Sequence, residues 1–243
     1  MQNLSKNKIK WIRSLQLKKN REELGLFVVE GEKMVGEALT NTPHLIHFLC
    51  VTKDSSIRTE NTDFDTVLAT DEELKSISSL KNPNKSLVLL KTLPIKTVTT
   101  DFRIALDGIQ DPGNMGTILR LADWFGVKEI ICSHDTVDIY NSKVVQASMG
   151  AIFRINVIYC ELETYLKKTS EPIFGALLEG ENIYKKSVEP KGILILGNEG
   201  KGISKGIIDL ITEPITIPRF GEAESLNVSV ATGILLSEFF RGQ

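Results

Sequence analysis

Three short stretches in the second half of the chain hold polar residues at spacings that could orient a reacting group. The first, DGIQDPGNMGTILRLADWFGV, carries Asn114 and Arg120. Gly108, Pro112 and Gly113 predict a tight turn and Asn114 a helix N-cap, while Ile118, Ala122 and Phe125 form an apolar face that Gly126 ends. An arginine near the loop end of such a helix reads either as a solvated surface residue or as a bidentate grip on a phosphate. The second stretch, GNEGKGIS, sets Glu199 among glycines that let a flat ligand approach the backbone. The third, IPRFGEAESLNVSVATGILLSEFF, groups Glu224, Ser225 and Asn227 ahead of a helix, where Ser225 and Asn227 also read as simple capping residues.

These stretches exclude several chemistries. Lys201 is followed by Gly202 where a P-loop requires Ser or Thr, and Gly200, Gly202 and Gly206 give GxGxxxG in place of the dinucleotide GxGxxG. No GxSxG surrounds a serine, and His134 has no visible partner arrangement, so serine hydrolysis is disfavoured. Cys50, Cys132 and Cys160 are odd in number and lack CxxC spacing, which predicts inert thiols in a reducing, cytoplasmic setting and no metal site.

The elements that must position these residues follow from apolar runs. Arg103 to Leu106, Glu129 to Cys132, Ile155 to Tyr159, Ile173 to Leu177, Ile193 to Leu196 and Ile215 to Ile217 alternate with helical stretches. That alternation predicts a mainly parallel sheet covered by helices, with ligands at the carboxyl ends of the strands. Upstream, strands are expected at Phe27 to Val29, Leu45 to Val51 and Leu87 to Leu90, with helices over Glu32 to Leu39 and around Glu72 to Leu80. KTLPIKTVTT has no amphipathic period and contains Pro94, so it reads as a linker. The reading is an α/β protein with a small α/β domain over 1–97 and a larger one over 98–243.

With 243 residues, 42% hydrophobic and 25% charged, the chain fits a soluble protein of one or two domains with no membrane span. The net charge of -2 conceals seven basic residues and no acidic one between Met1 and Arg21. Ile9, Ile12 and Leu15 fall at helical spacing there, so a helix can bury that stripe and turn its lysines to water or to phosphates.

Taken together in order, NMGTILR, LGNEGKGIS and IPRFGEAESLNVSVATGILLSE resemble the three motifs of the SpoU/TrmH ribose 2′-O-methyltransferases of the SPOUT superfamily. KKNREELGLFVVEGEKMVGEAL is similar to the substrate-binding domain, related to a ribosomal-protein fold, that often precedes them. SKVVQASMGAIFRINV matches a further family segment, with Gln146 where arginine is expected. The resemblance implies a SPOUT domain with a deep trefoil knot, a homodimer formed by that domain, and S-adenosyl-L-methionine as cofactor without a metal. It implies methylation of a ribose 2′-hydroxyl in rRNA or tRNA; a base methyltransferase of the same fold and a catalytically silent RNA-binding homologue are the alternatives. By position it casts Asn114, Arg120, Glu199, Ser225 and Asn227 as catalytic residues, with Arg120 either base or phosphate clamp. Leu196, Gly197, Gly200, Ile217, Ser225 and Leu226 would hold the cofactor. RNA would meet Lys18, Lys19, Arg21 and Arg120.

Overall fold

The computed structural model describes residues 4–58 and 63–242; the start of the basic stretch, Met1 to Asn3, lies outside them. In chain order the elements are α1 (Lys6–Ser14), α2 (Lys18–Leu24), β1 (Leu26–Glu30), α3 (Glu32–Asn41), β2 (Ile46–Thr52), β3 (Asp65–Ala69), α4 (Asp71–Ile77) and β4 (Ser86–Lys91). There follow β5 (Phe102–Asp107), α5 (Pro112–Trp124), β6 (Glu129–Cys132), α6 (Ser142–Ser148), β7 (Asn156–Tyr159), α7 (Leu162–Leu166), β8 (Ile173–Asn182), β9 (Gly192–Gly197), α8 (Lys205–Ile208), β10 (Glu213–Thr216) and α9 (Val228–Phe239). They form two compact units. One comprises Met1–Pro94 with Asp138–Phe153, the other Ile95–Val137 with Arg154–Gln243.

The first unit is a four-stranded sheet in the order β1-β4-β2-β3, in which β4 runs antiparallel to β1 and β2, and β3 parallel to β2. The expected amino-terminal helix is two helices: α1 buries Ile12 and Leu15, while α2 closes on Gly25 at φ 61. A capping box between Thr70 and Glu73 starts α4, whose Leu74 and Ile77 join the same core. The segment Asp138–Phe153 completes this unit: Tyr140 packs on Phe27 at 4.6 Å and its hydroxyl accepts from the Leu93 amide at 2.8 Å. Burial pushes the Tyr140 pKa up to about 12.

The second unit is a six-stranded sheet in the order β10-β8-β9-β5-β6-β7, and every neighbouring pair is parallel. Ile104, Leu106, Ile193 and Leu194 are fully buried in its centre, as expected of strands covered on both faces. The chain runs outward from β5 through β6 to β7, then crosses to the other side of β5 to lay down β8, β9 and β10. The order therefore reverses between β5 and β9, and the crevice in which ligands of such sheets bind is expected beyond the carboxyl ends of those two strands. Asp107 and Gly197 face each other there as the last pair of the ladder.

Candidate active site

At that crevice the loops after β5 and β9 are tied by side chains that the motif reading passed over. Asn198 donates from Nδ2 to the Gly108 carbonyl at 2.7 Å, and its Oδ1 accepts the amides of Gly200 at 2.9 Å and Lys201 at 3.0 Å. Asp107 accepts the Ser204 amide at 2.6 Å. Ser133 at the end of β6 donates to Asp135 and accepts the Gly108 amide at 2.8 Å, which holds Gly108 at φ 70. The sequence signal for these positions was available: asparagine and aspartate at the end of a buried strand satisfy loop amides.

Gly197 has a packing reason to be glycine, separate from the expected contact to a cofactor. A β-carbon there would collide with the backbone of Gly202 and Ile203, so the loop's own interlock, closed by Asn198 and Gly202, already demands glycine. Leu196 is buried, which leaves its backbone as the part able to meet a ligand. Gly200 is exposed and Ile217 half-buried.

The helix α5 begins one turn earlier than expected. Asp111 is the N-cap, its Oδ1 accepting the Asn114 amide at 2.8 Å, with Pro112 in the first turn. This correction frees the Asn114 side chain for a different task. Its Nδ2 donates to Glu199 Oε1 at 2.8 Å and its Oδ1 accepts from Asn227 Nδ2 at 2.9 Å. Asn227 is the N-cap of α9, with Oδ1 accepting the Ser229 and Val230 amides at 3.0 and 3.3 Å. One buried amide thus joins all three loops, with the Asn227 cap fixing one side and the exposed Glu199 carboxylate on the other.

Arg120 and Ser225 stand apart from this cluster. Both side chains are exposed and make no hydrogen bond or ion pair among the described residues. The run 219–227 is exposed throughout, with Phe220 95% and Leu226 50% accessible. His134 is a surface residue whose Nε2 lies 3.5 Å from Glu161 Oε1.

Of the candidate RNA contacts in the first unit, Lys18 and Lys19 are exposed, Lys18 only 3.7 Å from Glu22. Arg21 is a correction. It is 4% exposed, its Nε and Nη2 donate to Asp138 Oδ2 at 3.1 and 2.6 Å, and its Nη1 donates to the Leu15 and Gln16 carbonyls at 2.8 and 2.9 Å. A guanidinium so engaged has no fork left for phosphate. Burial raises the pKa of all three cysteines, that of Cys50 up to about 12. Among the described residues no group of three His, Cys, Asp or Glu could hold a metal, and no helix is long and apolar enough to cross a membrane.

Comparison with known proteins matches this geometry to named relatives. The SpoU rRNA Methylase family profile covers residues 101–237, and the MRM3-like substrate binding domain profile covers residues 6–87. The chain is 29% identical over 234 residues to the 23S rRNA (guanosine(2553)-2′-O)-methyltransferase RlmP of Bacillus subtilis, covering 94% of each. A solved TrmH-family structure from Porphyromonas gingivalis superposes with a TM-score of 0.87 at 36% identity over 99% of each chain. An AdoMet-bound rRNA methyltransferase from Sinorhizobium meliloti superposes with a TM-score of 0.85 at 27% identity, over 99% of this chain and 97% of that one. The family profile spans more than half of the chain and takes in all three loops of the crevice, and the chain belongs to the SpoU rRNA methylase family.

Proposed function

We propose that this protein transfers the methyl group of S-adenosyl-L-methionine to a ribose 2′-hydroxyl in ribosomal RNA. The observation that carries the reading is the Asn114 amide, which joins the loops after β5 and β9 to the cap of α9 at the switch point of a SpoU-family sheet. The residues fit the cofactor: Gly200 brings bare backbone to the crevice, the strand backbone of Leu196 and Gly197 ends beside it, and Ile217 and Leu226 offer apolar surface beside backbone outside any ladder. Bound there, S-adenosyl-L-methionine supplies an electrophilic methyl on a sulfonium. The protein's own task is the alcohol, which must be oriented, shielded from water and relieved of developing negative charge.

Arg120 serves that last task. A guanidinium is charged at any physiological pH and carries donors but no acceptor, which suits a clamp on the phosphate beside the target ribose and a partner for an alkoxide, and disqualifies it as base. Asn114 and Asn227 hold the loops, Glu199 presents its free carboxylate oxygen, and in this reading Ser225 touches cofactor or ribose. Residues 98–243 carry this chemistry, and residues 1–97 present Lys18 and Lys19 to the RNA.

A homodimer through the second unit completes the site. Arg120 lies six residues past Asn114, about 9 Å along the axis and turned by about 120°, so one subunit leaves it outside the cluster. Val230, 51% exposed, extends the apolar face of α9 outward, while Leu235 and Phe239 fill the domain's own core. The deep trefoil knot of the SPOUT fold belongs to this reading too; the strand order that sets β9 beside β5 and the packing of α9 on α5 and β9 support it.

The test is methyl transfer from labelled S-adenosyl-L-methionine to rRNA from cells lacking the gene, with the product mapped by resistance to alkaline cleavage. One 2′-O-methylated nucleotide is the expected result. Label on a base, or on tRNA alone, overturns the reading.

A further inference from the structure

Phe220 is the most exposed large apolar side chain among the described residues, at 95%. It sits on the element-free run between β10 and α9, five residues before Ser225, so at full extension it stays within about 17 Å of that residue. Its ring meets no other aromatic among the described residues. The next residue back, Arg219, is exposed, and the contact recorded for its guanidinium is a long one, Nη1 to the Ala223 carbonyl at 3.4 Å. Trp124 is also exposed, at 83%, but it ends α5, which begins at the crevice with Pro112 and runs about 18 Å away from it.

An aromatic face held in water beside an uncommitted guanidinium, on the loop that leads into the catalytic cap, has the chemistry of a single-stranded RNA contact. The ring stacks on a base and the cation meets the phosphate. A ribose 2′-hydroxyl inside a stacked helix is hard to align in line with a methyl donor, so a base neighbouring the target must be held out of its stack. We propose that Phe220 provides that platform, stacking on an unpaired nucleobase next to the methylated nucleotide while Arg219 contacts the adjoining phosphate. The proposal rests on the methyltransferase reading and names a specificity residue for it.

The full-length protein and its Phe220→Ala, Phe220→Leu and Phe220→Trp variants separate stacking from mere apolar contact. The measurements are RNA affinity and steady-state methylation with rRNA from cells lacking the gene, cofactor affinity by calorimetry, and sedimentation. Phe220→Ala and Phe220→Leu should each weaken RNA binding about tenfold and lower kcat/KM for RNA at least as much, with cofactor affinity little changed. Phe220→Trp should hold the wild-type values. Wild-type RNA affinity in Phe220→Leu overturns the proposal, because leucine keeps the apolar area and loses the π-face. A shift in sedimentation with Phe220→Ala also overturns it, by assigning the ring to a subunit contact. If the wild type methylates no RNA, the methyltransferase reading fails, and equal RNA affinity of wild type and Phe220→Ala then sinks the stacking proposal separately.

Discussion

Two arginines of the second unit, Arg103 and Arg120, are treated in opposite ways. At the amino ends of the strands Arg103 donates to Glu129 at 3.0 Å and to Glu171 at 2.9 Å, and Asn156 donates to Glu129 at 2.8 Å and to the Lys96 carbonyl at 3.0 Å. Burial opposes the Arg103 charge, yet the hydrogen bonds to Glu129 and Glu171 hold its pKa above the ordinary arginine value. Arg120, two turns into the helix that starts at the carboxyl ends, is exposed with no partner among the described residues. The first unit repeats the contrast within one basic stretch, where Arg21 is buried and makes four hydrogen bonds while Lys19 makes no ion pair among the described residues. A cation with most of its donors bonded to carboxylates and carbonyls locks structure; one left with its donors in water is available to a ligand.

The largest effect should come from removing the paired arginine. Arg103→Met keeps the packing volume but strands the Glu129 carboxylate, whose side chain is only 7% exposed, so the protein should lose about 3–5 kcal/mol of stability in urea denaturation. A deficit below about 1 kcal/mol at pH 7.5 would show that this network is ornamental.

Removing the unpaired arginine should do the reverse. Arg120→Ala removes an exposed side chain without partners, so stability should change by less than about 0.5 kcal/mol. Single-turnover methylation should fall by about 10²- to 10³-fold, the scale for losing one donor to developing oxyanion charge. Arg120→Lys keeps the charge but not the fork and should fall in between, with cofactor affinity near wild type in both. Near-wild-type turnover by Arg120→Ala removes this residue from the mechanism. Asn114 lies between the extremes, since it is buried yet belongs to the site. A double-mutant cycle of Asn114→Ala with Glu199→Ala should give a coupling of about 1 kcal/mol, and strict additivity would mean that their 2.8 Å contact carries no energy.

The contrast between engaged and free cations is what local sequence could not convey. All six strands of the second unit were legible from apolar runs bounded by turn residues, because strands covered on both faces are continuous in their hydrophobicity. The strand Asp65–Ala69 was not, since it is short, half-exposed and reads as the tail of a polar loop. The signal Asp111-Pro112 marks a helix start as well as Asn114 does, and only the Asp111 contact to the Asn114 amide decides between them. No periodicity within Met1 to Arg21 predicts that Asp138, more than a hundred residues on, reaches back to Arg21. The same long-range packing makes deletion of residues 1–97 a poor test of RNA binding. Val144, Val145 and Ile152, buried in the first unit, would lose their cover and the remainder would unfold for reasons unconnected with RNA.

Point charge changes avoid that defect and give the smallest of the expected effects. Lys18→Glu with Lys19→Glu alters two exposed side chains, and the one ion pair lost, Lys18 to Glu22 at 3.7 Å, is a surface pair of little weight. Stability should stay within about 0.5 kcal/mol. If both lysines neutralise phosphates, the slope of log affinity against log salt should become shallower by about 1.5, since each contact releases close to one counterion. Arg21→Lys is the control that sharpens the contrast. Lysine cannot reproduce the donors that bind Asp138, Leu15 and Gln16, so this variant should lose stability while leaving the salt slope intact. A change of slope in Arg21→Lys without loss of stability would reverse the assignment and return Arg21 to the RNA-binding surface, whereas an unchanged slope in the lysine pair would leave α2 as a solvated face.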